Sequence, residues 1–323
     1  MRFVRALLLA VGCLLGLFGL EAYGQSFPSK AVRIIVPFPA GGLTDILGRV
    51  VAGQMQSAWG VPVIVENVSG ASGIPGSEQV VRSAGDPHLL LVTAPHHTIN
   101  PSLYKSLPYD TKRDFTPLAF IASTPNVLFV NSSFPARTVA ELLRLAKDKP
   151  GSIGFASTGT GGGNHLAGEL FKGMAGVEIF HVPYKGEAPA VSDVIAGHVP
   201  MMFGGLTVAM PHISSGKLRA LGVTTLRRVP SLPEVPTLDE SGLKGFEVLG
   251  WFGLYGPARL PAAVVSRIAS DMSTMLNSNE VHARLTKFGV EPGTLNQPEF
   301  VRYVDNEIAK WARVIEQAKI PKE

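Results

Sequence analysis

Twice along this chain, short β-branched apolar runs alternate with stretches of helical periodicity, and that alternation limits the fold more than any other feature. Val32-Arg33-Ile34-Ile35-Val36 reads as a buried strand. From Thr44 to Ala58, the apolar residues Ile46, Leu47, Val50, Val51 and Met55 fall at helical spacing. Val63-Ile64-Val65 is a second strand, Glu78 to Ala84 a short helix, and Leu89-Leu90-Leu91-Val92 a third strand. The order then repeats: a strand at Ile153 to Ala156, a helix from Asn164 to Met174, a strand from Glu178 to Val182, a helix from Ala188 to Ala196, and a strand from Val199 to Phe203. Such an order implies parallel sheets with right-handed crossovers. The last third is helical, with Ala262 to Leu276, Glu280 to Phe288 and Pro298 to Ala318.

Two largely apolar segments, Leu118 to Val130 and Phe246 to Tyr255, separate these units. Read as crossover strands, they return the C-terminal helices to the first unit. The expected division is a leader over 1–24, lobe I over 25–125 and 251–323, and lobe II over 126–250, with a cleft between the lobes.

The leader places the chain outside the cytoplasm. Arg2 and Arg5 form a basic start, Ala6 to Leu20 is apolar and uncharged, and Ala22-Tyr23-Gly24 offers small residues to a signal peptidase. That apolar run is short for a membrane span. The single cysteine, Cys13, lies inside the leader, so the mature chain has no disulfide and no thiolate ligand. Hydrophobic content of 46% with 17% charged residues describes a globular protein. The net charge of +4 is scattered, and basic residues do not cluster with aromatics, so nucleic acid is not an expected partner.

Each unit carries a glycine loop between its first strand and first helix. The first is Pro37-Phe38-Pro39-Ala40-Gly41-Gly42-Leu43-Thr44-Asp45; the second is Ser157-Thr158-Gly159-Thr160-Gly161-Gly162-Gly163-Asn164. A strand, a glycine turn and a helix N-terminus make an anion site, because outward N–H groups and the helix dipole favour negative charge. Thr44 or Asp45 as a simple helix cap is the plainer reading of the first loop. The second lacks the Gly-Lys-[Ser/Thr] ending of a P-loop, and Asn164 stands where a dinucleotide fingerprint needs its third glycine. Paired loops at strand C-termini point to the crevice where open α/β sheets bind ligands.

At these loops the chain resembles the receptors of tripartite tricarboxylate transporters, also called Bug receptors. The matching stretches begin with Pro28-Ser29-Lys30, Arg33 to Gly42 with Asp45, Val65-Glu66-Asn67, Asn100-Pro101-Ser102-Leu103-Tyr104 and Leu107-Pro108-Tyr109-Asp110. They continue with His165-Leu166-Ala167-Gly168-Glu169, His181 to Gly186, Gly216-Lys217-Leu218-Arg219-Ala220 and Val235-Pro236-Thr237. The resemblance implies an α/β type II periplasmic binding protein: two Rossmann-like lobes joined by crossover strands, with a ligand cleft between them. It implies a small organic anion, most often a carboxylate, held largely by backbone N–H groups, and a membrane transporter as partner. No cofactor is implied, and a monomer is expected. First-loop contacts fall by resemblance on Phe38, Ala40, Gly41, Gly42 and Asp45; second-loop contacts on Ser157, Thr158, Gly159, Thr160, Gly161, Gly162 and Asn164; Thr93 and Ala94 lie on a third loop. Gly162 replaces a common hydroxyl residue, and Gly204 replaces a frequent acidic one that could accept from an amino or hydroxyl group. His96-His97 stands where the family is less polar, and a cleft-facing His96 is a candidate donor.

Other groups read as structural. His165 and Glu169 are one turn apart but lack a third ligand, so capping is preferred to metal binding. Tyr184 and Lys185 read as packing, Trp251 as hinge packing, and Trp59 and Trp311 as helix–core anchors. No Gly-x-Ser-x-Gly elbow, His-Glu-x-x-His or cysteine nucleophile occurs, so no catalytic residue is expected. A secreted hydrolase of small carboxylate-containing substrates is the alternative. A ligand-sensing regulator is disfavoured by the leader and the missing DNA-binding module. N-terminal sequencing of the exported protein should begin near Gln25; an intact Met1 in the membrane fraction would contradict the leader.

Overall fold

The computed structural model describes residues 27–323. The expected leader lies outside the described residues. In lobe I, β1 (Val32–Val36) is central, with β2 (Val63–Asn67) and β3 (Leu89–Thr93) parallel to it on either side. β9 (Leu249–Pro257) runs antiparallel to β3 and to β4 (Phe115–Asn131). In lobe II, β5 (Gly154–Ser157) lies between β6 (Phe180–Pro183) and β7 (Met201–Gly205), all parallel. β7 and β8 (Leu218–Val223) both pair antiparallel with the second half of β4. The first apolar crossover is therefore one long strand: it pairs with β9 up to Pro125 and with β7 from Asn126 onward.

Helices cover both sheets. α1 (Leu43–Trp59) buries Leu47, Val50, Val51 and Met55 against Val32, Ile34 and Val36. α5 (Gly163–Ala175) buries Leu166, Ala167 and Phe171 with Phe155 and Phe203. The spacing is tight: a Cβ at Gly168 would lie 2.2 Å from the Phe155 ring, and one at Gly48 2.9 Å from Val36. α10 (Gln297–Gln317), opened by a capping box of Asn296 and Glu299, ties the lobes together. Its Phe300 and Val304 join a lobe I cluster, while Trp311, Val314 and Ile315 enter the lobe II core. Trp311 also donates its indole N–H to Glu307, 2.9 Å away. Trp59 donates to Asp271 at 2.7 Å.

Elsewhere periodicity misled or was silent. α2 (Ile74–Val81) starts and ends earlier than expected, because Pro75 in its first turn fixes the entry. α3 (His96–Leu103) forms where a loop was expected. Its polar sequence, interrupted by Pro101, has no apolar stripe; Ile99 and Leu103 are buried by packing against the lobe II core. α4 (Val139–Asp148), capped by Thr138, was not anticipated either. α6 (Glu187–Ala196), α8 (Ala262–Leu276) and α9 (Asn279–Lys287) match their periodic stretches, while α7 (Leu206–Ser214) follows β7 without a sequence signal.

The contact at Gly168 gives a direct check on the lobe II core. Gly168→Ala should lower the unfolding free energy by roughly 1–3 kcal/mol, as overpacking does. A urea titration with a change below about 0.5 kcal/mol would contradict the packing described.

Candidate functional site

Strand directions bring the two glycine loops together. β4 runs in the same direction as β1 and β3 and leaves lobe I at Pro125, so the C-terminal ends of the lobe I strands face lobe II. β7, with β5 and β6, runs opposite to β4, so their C-terminal ends face lobe I. Loop I (37–42) follows β1 and loop II (158–162) follows β5. Direct contact supports this placement: a Cβ at Gly161 would meet Leu103 of α3 at 2.6 Å.

The loops match position for position. Gly41 and Gly161 have φ of +82° and +74°, the left-handed region that glycine enters without strain. Gly42 and Gly162 are the N-caps, with φ/ψ of −72°/163° and −70°/160°. Gly42 N–H donates to Pro39 O at 3.4 Å, and Gly162 N–H to Gly159 O at 3.3 Å. Gly41 N–H then donates to the Asp45 carboxylate at 2.9 Å, and Gly161 N–H to His165 Nδ1 at 3.0 Å. Neither α1 nor α5 has a side-chain cap at its N-terminus. The first-turn N–H groups, which lack intrahelical acceptors, thus have no capping side chain at either helix.

Different side chains brace the two turns. Asp45 is buried and also accepts from Arg49 at 3.0 Å and Asn67 at 3.0 Å. Burial pushes its carboxyl up, but the hydrogen bonds from Arg49, Gly41 and Asn67 outweigh that and leave its pKa below the usual value. Asn67 donates as well to Phe38 O at 3.1 Å. In loop II the braces are histidines. His165 stacks on His181, with centroids 3.7 Å apart, and both rings lie against Phe155. To accept from Gly161, His165 must be unprotonated at Nδ1. Its Nε2 lies 3.8 Å from Glu169, and the described residues contain no cluster of three metal-ligating side chains.

The remaining expected contacts fall into two groups. Ala40, Gly41, Gly42 and Thr160 are exposed on the loops, with Gly159 (φ +134°) half-buried between them. Phe38 is half-buried, its ring 5.6 Å from that of His96, so the two form one wall. Desolvation lowers the pKa of His96, which leaves it a neutral donor; His97 behind it is buried among Tyr109, Phe115 and Tyr255. Thr93 and Ala94, at the end of β3, are buried. Ser157 is fully buried: its hydroxyl donates to Gly159 O, accepts from Gly159 N–H, and lies 2.5 Å from His181 Nε2. That closed arrangement braces a loop and leaves no exposed nucleophile. Thr158 donates to Asn164 at 2.9 Å, and Asn164 donates to Phe203 O at 2.6 Å, which clips loop II to β7. A Cβ at Gly162 would press on the Thr158 hydroxyl at 3.1 Å.

Sequence reasoning missed Glu187, the first residue of α6. Its Oε1 accepts from Gly205 N–H at 2.8 Å, and a Cβ at Gly204 would lie 3.3 Å from the same oxygen and 2.7 Å from Phe129. An acceptor beside Gly204 is therefore supplied from the start of α6. No spacing rule links positions 187 and 204; the fold does, by carrying the start of α6 across β5 to the end of β7.

Residues 47–320 match the model of the tripartite tricarboxylate transporter family receptors. The protein BugT of Bordetella pertussis is 31% identical, the alignment covering 96% of this chain and 97% of BugT. A Rhodopseudomonas palustris protein solved with adipate is 34% identical with a TM-score of 0.74, over 92% of this chain and all of that one. MatC from the same species, solved with bound malate, is 30% identical with a TM-score of 0.70, over 90% of this chain and all of that one.

The histidine braces make loop II acid-sensitive. Desolvation, with the neighbouring His181 charge, lowers His165 to about 4, and desolvation lowers His181 to about 4, against the usual 6.5. The unfolded chain therefore binds more protons between those values. The contribution is full above pH 6.5, shrinks as pH falls, and is gone below about 4. The melting temperature should fall progressively over this window, and less steeply in His181→Gln; a flat profile from pH 6.5 to 4 would contradict the assignment.

Proposed function

The chain belongs to the tripartite tricarboxylate transporter receptor family, a family of binding proteins without catalysis, and from that premise we propose that it captures a small carboxylate between its lobes. The observation that supports this most is the matched pair of uncapped, glycine-turned helix N-termini at facing strand ends. Each presents first-turn N–H groups and about half a positive charge, a form suited to a carboxylate and poor for a cation or a neutral sugar. The bound adipate and malate of the two R. palustris relatives support the same ligand class.

Three or four charge-assisted hydrogen bonds at ~1.5–3 kcal/mol each approach the ~8 kcal/mol of a micromolar complex. Association and ordering costs subtract from that, and apolar contact with Phe38 offsets part of the loss. Ligand contact from both loops at once draws the lobes together about the β4 and β9 crossovers. The wider assignment is a periplasmic monomer, released by cleavage near Gly24, that delivers its ligand to a membrane transporter of the tripartite type.

A thermal-shift screen of mono-, di- and tricarboxylates tests this reading. At a hundredfold excess over Kd, the native state gains ~2.7 kcal/mol, which should raise the melting temperature by several degrees. The matching methyl ester should give little shift, and Gly41→Val, which forces a branched side chain to φ +82°, should abolish the shift. Stabilisation by a neutral sugar or a cation, with none by any carboxylate, would overturn it.

A further inference from the structure

We infer that Glu187 sets ligand choice within the carboxylate class, selecting molecules whose second polar group is a hydrogen-bond donor, an ammonium above all, over dicarboxylates. This rests on the receptor reading and narrows it.

The placement comes from topology. β7 ends at Gly205, which pairs with Asn126, the first residue of β4 on the lobe II side of the crossing. Asn164, in the first turn of α5, donates to Phe203 on the same strand end. Glu187 opens α6 just beyond the end of β6, and its carboxylate lies against Gly204 and Gly205. The group therefore stands at the crossing, beside loop II, where both sets of strand ends converge.

The chemistry comes from what the carboxylate lacks. Oε1 accepts a single backbone N–H, from Gly205. Among the described residues no lysine, arginine or histidine forms an ion pair with it, and no cation offsets the desolvation that raises its pKa. A half-buried carboxylate can accept about four hydrogen bonds, so most of its capacity is unfilled by the protein. Glycine at 204 and 205 removes the side chains that would otherwise cover it. A donor on the ligand regains solvation that burial has removed, and an ammonium gains more by charge. A second carboxylate in the same position meets a like charge at low effective dielectric, which disfavours it.

The test is calorimetry with length-matched sets: succinate, glutarate and adipate against the ω-amino, ω-hydroxy and α-amino acids of the same chain lengths. In the wild type the best donor-bearing acid should bind at least tenfold tighter than its dicarboxylate. Glu187→Gln keeps the shape and the acceptor for Gly205 but removes the charge. It should narrow that ratio at least threefold, chiefly by improving the dicarboxylate, and Glu187→Ala should move it in the same direction. A wild type that prefers the dicarboxylate, or a ratio that Glu187→Gln changes by less than threefold, overturns the inference while leaving the receptor reading intact. Failure of every acid to bind overturns both.

Discussion

The structure depends on one local arrangement made twice: a left-handed glycine whose N–H is held by the side chain four residues on, followed by a glycine N-cap. In loop I the acceptor is Asp45; in loop II it is His165 Nδ1. This bond fixes the turn, and the glycine N-cap that follows has no side chain with which to cap the helix. The first-turn N–H groups are therefore preorganised and unsatisfied, which is the condition for strong anion capture. The braces differ in kind. Asp45 is fixed by two further donors, Arg49 and Asn67, whereas His165 is fixed by stacking on His181 and Phe155. One end of the site is thus held by charge and the other by neutral rings.

The remainder of the fold makes those two ends face each other. A single strand, β4, belongs to both sheets, so the direction of every parallel strand in one lobe is set relative to the other. α10 adds a second tie, with aromatic anchors in a lobe I cluster and in the lobe II core. With Ile99 and Leu103 of α3 also buried in the lobe II core, the two lobes share packing as well as strands.

Much of this was legible in the sequence because each signal had a physical cause. Alternating strand and helix runs placed the parallel sheets, and the apolar run from Leu118 to Val130 marked the shared crossover strand. The glycines at 41, 42, 161 and 162 marked the turns, since a left-handed φ or an uncapped N-terminus favours glycine there. What stayed hidden depends on contacts distant in sequence. α3 has no apolar stripe and is helical because Ile99 and Leu103 are buried against the lobe II core. His165 could not be recognised as a brace without His181 beside it, and Glu187 could not be tied to Gly204 before the fold carries the start of α6 to the end of β7. The Asp45 carboxylate likewise takes, besides bonds from Gly41 and Arg49, one from Asn67, which no local pattern links to it.

On the proposed reading, backbone N–H groups of two facing helix N-termini hold the anion together. Amide NMR titration of the labelled mature protein with its best carboxylate ligand tests it directly. The account predicts large downfield shifts and slowed hydrogen exchange at Leu43 and Thr44 in α1 and at Gly163 and Asn164 in α5, rising with the same midpoint. Shifts confined to one lobe, or centred on side chains away from both loops while these amides stay unchanged, would contradict it.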